Sequence, residues 1–145
     1  MVGRIMALDV GDVRIGVAVS DPLGILATPH SVVDAVPGDI AIQTIANLVR
    51  ELSIVYVVSG LPKNLKGEEG PQAQKVRAFN EKLEAALDVE VKTQDERFTT
   101  ALVERAMVQA GVRRKKRKQK IDMLAAQQIL QSHLDLRSQE NETSP

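Results

Sequence analysis

Three acidic residues stand where a carboxylate is either costly or conspicuous. Asp9 closes the apolar run IMAL inside the stretch ALDVGDVRIGVAVSD, Glu96 lies in the cluster QDER at 94–97, and Asp122 shares a helical face with Ala125 and Ile129. A carboxylate in a central strand costs on the order of several kcal/mol unless it is paired, hydrogen-bonded or bound to a cation. Taken together, the three are oxygen donors of the kind hard divalent cations prefer, so Mg2+ or Mn2+ is the expected cofactor. Two such ions about 4 Å apart can activate water and stabilise the leaving oxygen in phosphodiester hydrolysis. Each acid also has an ordinary reading. Asp9 could end its strand and accept from the GDVR turn, Asp95 and Glu96 could sit at a helix N-terminus with Arg97 as a surface partner, and Asp122 could cap the last helix.

A second chemical signal is the run RRKKRK, comprising Arg113, Arg114, Lys115, Lys116, Arg117 and Lys118. The chain carries 19 basic and 19 acidic residues, so its formal charge is zero, yet this run sets up a local positive field. It ends just before Asp122. Contacts from it to phosphates beside a scissile bond would add affinity that falls with salt and carries little sequence information; a solvated loop is the alternative.

The elements that must position these residues follow from periodicity. Residues 5–10 and 15–19 read as a β-hairpin around GDVR, and 25–33 as a third strand, which Pro29 confines to an edge or a bulge. Ala41, Ile45, Leu48 and Leu52 form a helical stripe, IVYVVSG is a strand buried on both faces, and Val76, Phe79, Leu83 and Leu87 mark a second helix. A fifth strand is expected at 89–93, then a helix from Thr99 stopped by Gly111, the basic run as a loop, and a last helix from 121 to about 136. The order βββαβαβαα gives an α/β protein, a mixed five-stranded sheet flanked by helices, which is the order of a ribonuclease-H-like fold. One domain over 1–138 with a polar, disordered tail at 139–145 is the expectation. No cysteine is present, and no apolar run approaches the ~18 residues that span a bilayer; a cytoplasmic location is expected.

These residues, in order, resemble the YqgF family, also called RuvX-like, of candidate Holliday junction resolvases and pre-16S rRNA nucleases. The matching segments are ALDVGDVRIGVAVSD, SGLPKNLKGEEGPQA, VKTQDERFTT and KIDMLAAQQIL, and the likeness covers nearly all of 4–136. It implies a ribonuclease-H-like fold, metal-dependent nuclease activity, and trimming of the 5′ end of the ribosomal precursor. The family's acidic triad maps onto Asp9, Glu96 and Asp122, with Asp95 as the neighbouring alternative and Arg97 as a phosphate contact. Ser59 stands where the family often has valine. The 59–70 loop, shaped by Asn64 and Gly67, would line the cleft or serve as a connector. His30 and His133 match no ligand or general-base arrangement.

Three other functions fit parts of the pattern. Asp9, Gly11 and Gly16 also resemble the phosphate-binding hairpin of the sugar-kinase and actin superfamily, whose nucleotide cleft lies between two such domains where this length supplies one. A Holliday junction resolvase would cut branched DNA symmetrically and so requires a two-fold dimer. A non-catalytic RNA-binding factor in ribosome assembly would use the basic run without the metal. The expected partners are therefore pre-rRNA or branched DNA, with the pre-ribosomal particle, and the chain is a monomer or homodimer.

Overall fold

The computed structural model describes residues 3–95 and 114–143. Its elements are β1 (Arg4–Val10), β2 (Arg14–Ser20), β3 (Ala27–Asp34), α1 (Gly38–Glu51), β4 (Ile54–Leu61), α2 (Pro71–Ala86), β5 (Val91–Asp95) and α3 (Arg114–Thr143). The five strands form one sheet in the order β3-β2-β1-β4-β5, antiparallel across the first three and parallel from β1 to β4 and β4 to β5. This is the meander followed by crossovers that the sequence predicts, with α1 and α2 as the connections.

Strand alternation assigns each sheet residue to a layer. Met6, Leu8, Ile15 and Val17 pack with Ala41, Ile45 and Val49 of α1 and Leu83 of α2. Ile5, Ala7, Ala18, Ala27 and Val58 face the other way, onto Ala126, Ile129, Leu130 and Leu134 of α3. The second layer is lined by small residues. Ala7 opposite Ala18, and Asp9 opposite Gly16, leave room for a helix backbone to come down on the centre of the sheet.

Several boundaries differ from the sequence expectation. β3 begins at Ala27 rather than 25, because the backbone N–H groups of Ile25 and Leu26 donate to the Asp21 carboxylate, each at 2.8 Å, and are lost to the ladder. These bonds, Leu26 first, hold the Asp21 carboxyl below its usual range. Pro29 does sit on an edge strand beside a register shift, where Val17 pairs with Ser31 and Ala18 with Pro29. β5 falls two residues late, its pairing running from Val57 with Val91 to Leu61 with Asp95.

The largest correction is α3. Residues 114–118, expected in a loop, are helical, and the helix continues to Thr143, beyond the end expected near 136. No Gly or Pro occurs between 112 and 144, and Lys, Arg, Gln and Glu are good helix formers, so nothing in either charged flank stops the helix. The expected helix from Thr99 and its Gly111 stop lie outside the described residues. No helix among the described residues is long and apolar enough to cross a membrane.

Ser59 is fully buried with its Oγ lacking a hydrogen-bond partner. An unsatisfied buried hydroxyl costs about 1–3 kcal/mol. Ser59→Ala is therefore expected to raise stability by about 1 kcal/mol, read as a higher urea midpoint with unchanged slope; a lower midpoint would mean that the hydroxyl contributes a bond.

Candidate functional site

Asp9 lies near the carboxyl end of β1, and the alternation that sends Ile5 and Ala7 toward α3 sends Asp9 to the same face. Its rung partner on β2 is Gly16. A Cβ at Gly16 would lie 1.9 Å from the carbonyl oxygen of Asp122 and 2.4 Å from its carbonyl carbon, so the α3 backbone rests directly on this glycine. That approach brings two acids more than a hundred residues apart in sequence to one rung of the ladder.

Asp122 lies more than two turns inside α3, so it neither caps the helix nor meets the positive end of the dipole in its first turn. Its helical face is the packed one, as expected, since Ala125 and Ile129 are buried against the sheet. Arg14, at the start of β2 and on the face shared with Gly16, donates from Nε to Asp122 Oδ2 at 2.6 Å, both side chains being mostly shielded. The ion pair fixes one carboxylate oxygen of Asp122, leaving Oδ1 the freer donor. Sequence reasoning missed Arg14. The detectable signal was parity: Arg14, Gly16 and Ala18 alternate along one face of β2.

Asp95 ends β5 opposite Leu61. It shares strand parity with Val91, which packs on the α1 and α2 layer, so it faces away from the layer of Asp9. Glu96, Arg97 and Arg113 lie outside the described residues. Arg114, Lys115, Lys116, Arg117 and Lys118 form the opening turns of α3. Among the described residues no three His, Cys, Asp or Glu side chains come together as a metal cage. Asp9 and Asp122, a carboxylate on the rung and one on the helix residue whose backbone rests on it, nonetheless suit a hard divalent ion that keeps water in its other positions.

The loop after β4 leaves the carboxyl end of the sheet. Asn64 Oδ1 accepts from the backbone N–H of Lys66 and of Glu68, each at 2.9 Å, and Gly67, at φ 83°, donates to the Asn64 carbonyl at 2.9 Å. The turn is thus built by the two residues the sequence singles out. At its end Arg77 donates two bonds to Glu69, at 2.6 and 2.8 Å, and these hold the Glu69 carboxyl below its usual range. His30 is bonded to Ser31, and His133 to the Tyr56 hydroxyl.

The mixed sheet with this strand order and its helical layers is a ribonuclease-H-like fold. RuvC of Thermus thermophilus, solved with a Holliday junction substrate, superposes with a TM-score of 0.53 over 94% of this chain and 96% of its own, at 13% identity. The fowlpox virus Holliday junction resolvase gives a TM-score of 0.52 over 96% and 99%, also at 13% identity. A family model described as RuvX, Holliday junction resolvase, matches residues 3–136. Candidate pre-16S rRNA nucleases are 43% identical in Roseiflexus sp. (strain RS-1), over 92% of this chain and 94% of that protein, and 45% in Clostridioides difficile (strain 630), over 93% and 96%. A third, from Desulforamulus reducens, is 46% identical over 91% and 96%. The chain belongs to the RuvX family, also called YqgF.

Gly16→Ala tests the seating of α3. The added methyl must lift the helix from the rung, with an expected loss of about 3 kcal/mol in chemical denaturation. A stability within about 0.5 kcal/mol of wild type would show that the close approach is not made in solution.

Proposed function

We propose that this protein is a metal-dependent nuclease that hydrolyses phosphodiester bonds and trims the 5′ end of pre-16S rRNA. The observation that carries the reading is the seating of the Asp122 backbone on the Asp9–Gly16 rung. Half-buried carboxylates at the end of the central strand and on the packed face of α3 carry a desolvation cost, which Arg14 offsets in part at Asp122 and which a shared cation would offset further. Asp9, Asp122 and Glu96 are the proposed ligands of Mg2+ or Mn2+. The parity of Asp95, directed to the opposite layer, supports Glu96 over its neighbour.

When bound, the metal supplies activation of water and charge neutralisation at the leaving oxygen. The chain's own residues do the rest. β1, the middle strand of the five, holds the Asp9 carboxylate in a fixed position. Arg14 restrains the rotamer of Asp122 through Oδ2. Arg97 and the run Arg113, Arg114, Lys115, Lys116, Arg117 and Lys118 draw in the phosphate backbone. Five of those cations sit at the positive end of the α3 dipole, where helix and side chains attract the same anion. The identity with three candidate pre-16S rRNA nucleases supports RNA as substrate. The family description and the RuvC superposition support branched DNA as the second reading.

The test is cleavage of an end-labelled ribosomal precursor fragment and a four-way DNA junction with Mn2+, Mg2+ or chelator. Metal-dependent cutting of the RNA is expected, with Glu96→Gln and Asp122→Asn each losing roughly 100-fold or more in turnover while remaining folded. Full activity in both variants would remove the triad, and symmetric cutting of the junction alone would favour the resolvase. Absence of cutting under every condition would favour an RNA-binding assembly factor.

Neutralising Arg113, Arg114 and Lys115 together is expected to weaken RNA binding and flatten its dependence on salt. In a plot of log affinity against log salt the slope should fall by about one for each phosphate that is no longer neutralised. An unchanged slope would make the run a solvated helix end.

A further inference from the structure

Away from Asp9 and Asp122, but on the same face of the sheet, three nitrogenous side chains converge on one phenol. Lys92 Nζ lies 4.5 Å from the centroid of the Tyr56 ring. Arg137 Nη1 donates to the Tyr56 hydroxyl at 3.1 Å, and that hydroxyl is hydrogen-bonded to His133 Nε2 at 2.6 Å. Tyr56 packs on the α3 layer beside Val58, and His133 and Arg137 descend to it from α3.

A neutral phenol positions cations without neutralising them. Among the described residues neither Lys92 nor Arg137 has a carboxylate within ion-pair distance. Asp135, on the same helix, accepts from Gln131 at 3.0 Å and lines the cavity beside Leu23 and Gly24. Lys92 is exposed, and Arg137 has further N–H donors beyond the one given to Tyr56. Two cations that one tyrosine side chain positions, without an ion-pair partner among the described residues, make a preorganised anion site.

We infer that Lys92 and Arg137, aimed by Tyr56, form a second backbone-phosphate subsite for the nucleic-acid strand, separate from the basic run. The spacing fits a continuous strand. Tyr56 pairs with Ile5 on β1, and Asp9 is four residues further along that strand, about 13 Å at 3.3 Å per residue. Duplex nucleic acid rises about 3.4 Å per nucleotide on each strand, so the subsite meets a phosphate roughly four nucleotides from the bond at Asp9. The interaction is with phosphate oxygens, so it fixes register and carries no base preference.

This inference rests on the nuclease reading for the identity of the strand, and its test reads binding in chelator with metal-dependent cleavage assayed in parallel. The full chain and its Lys92→Glu, Arg137→Glu and Tyr56→Phe variants are titrated with a labelled precursor RNA fragment in chelator, across a range of salt, with unfolding midpoints measured in parallel. Each charge reversal is expected to weaken binding about tenfold at low salt and to lower the salt slope by about one. Tyr56→Phe keeps the ring beneath Lys92 but releases Arg137, and is expected to weaken binding a few-fold. Should Arg137→Glu unfold, the exposed Lys92→Gln substitution carries the same comparison. Wild-type affinity and slope in the Lys92 variants, or failure of the wild-type chain to bind the RNA, would overturn the subsite. Normal metal-dependent cleavage with unaltered binding in the variants removes the subsite only; weakened binding in the variants of a protein that never cleaves removes the nuclease reading only.

Discussion

The interaction on which the site depends is the meeting of the Asp122 carbonyl with the backbone of Gly16. A side chain at position 16 would hold α3 away from the sheet, and the surrounding apolar packing of Ala126, Ile129 and Leu130 against Ala7 and Ala18 would be spaced for a thicker interface. With glycine there, the helix comes to rest on the rung that also carries Asp9. The hydrophobic effect supplies the force that presses the layers together, but it is non-directional. The small residues at the centre of β1 and β2 decide how close, and therefore which acid of α3 arrives beside which acid of the sheet.

Electrostatics then tunes what packing has assembled. Arg14 comes from the other strand of the same hairpin as Asp9 and grips one oxygen of Asp122, so that carboxylate is restrained in rotation while its Oδ1 stays the freer donor. The opening of α3 gathers Arg114 to Lys118 at the helix end where positive charge is least comfortable, because the dipole is already positive there. A helix that tolerates this repulsion has stability elsewhere, in the buried half from Ala125 to Leu134. The basic end belongs to the same helix that carries Asp122, so the proposed phosphate contacts and the acid share one element.

Much of this is legible in the sequence. The strand order follows from a switch between twofold and 3.6-fold periods, Pro29 marks the edge strand and its bulge, and Asn64 with Gly67 marks the turn after β4. Asp9 is conspicuous because a carboxylate breaks an apolar run. The extent of α3 is not legible, since its charged flanks carry no hydrophobic period, and charge alone reads as a loop. The Arg14–Asp122 pair and the Tyr56, Lys92 and Arg137 cluster join residues remote in sequence, and only the strand register brings them together. Gly16 lies between: a glycine inside the short strand RIGVAVS is a known sign of close backbone approach, although not of what approaches.

The most direct measurement is a double-mutant cycle on Mn2+ affinity, by titration of the folded full chain, using Asp9→Asn, Asp122→Asn and the pair. If the two carboxylates hold one ion, either substitution removes most of the affinity and the second adds little, so the losses are strongly non-additive. Losses that simply add, or Mn2+ binding that ignores both substitutions, would contradict a shared metal at the Asp9–Gly16 rung.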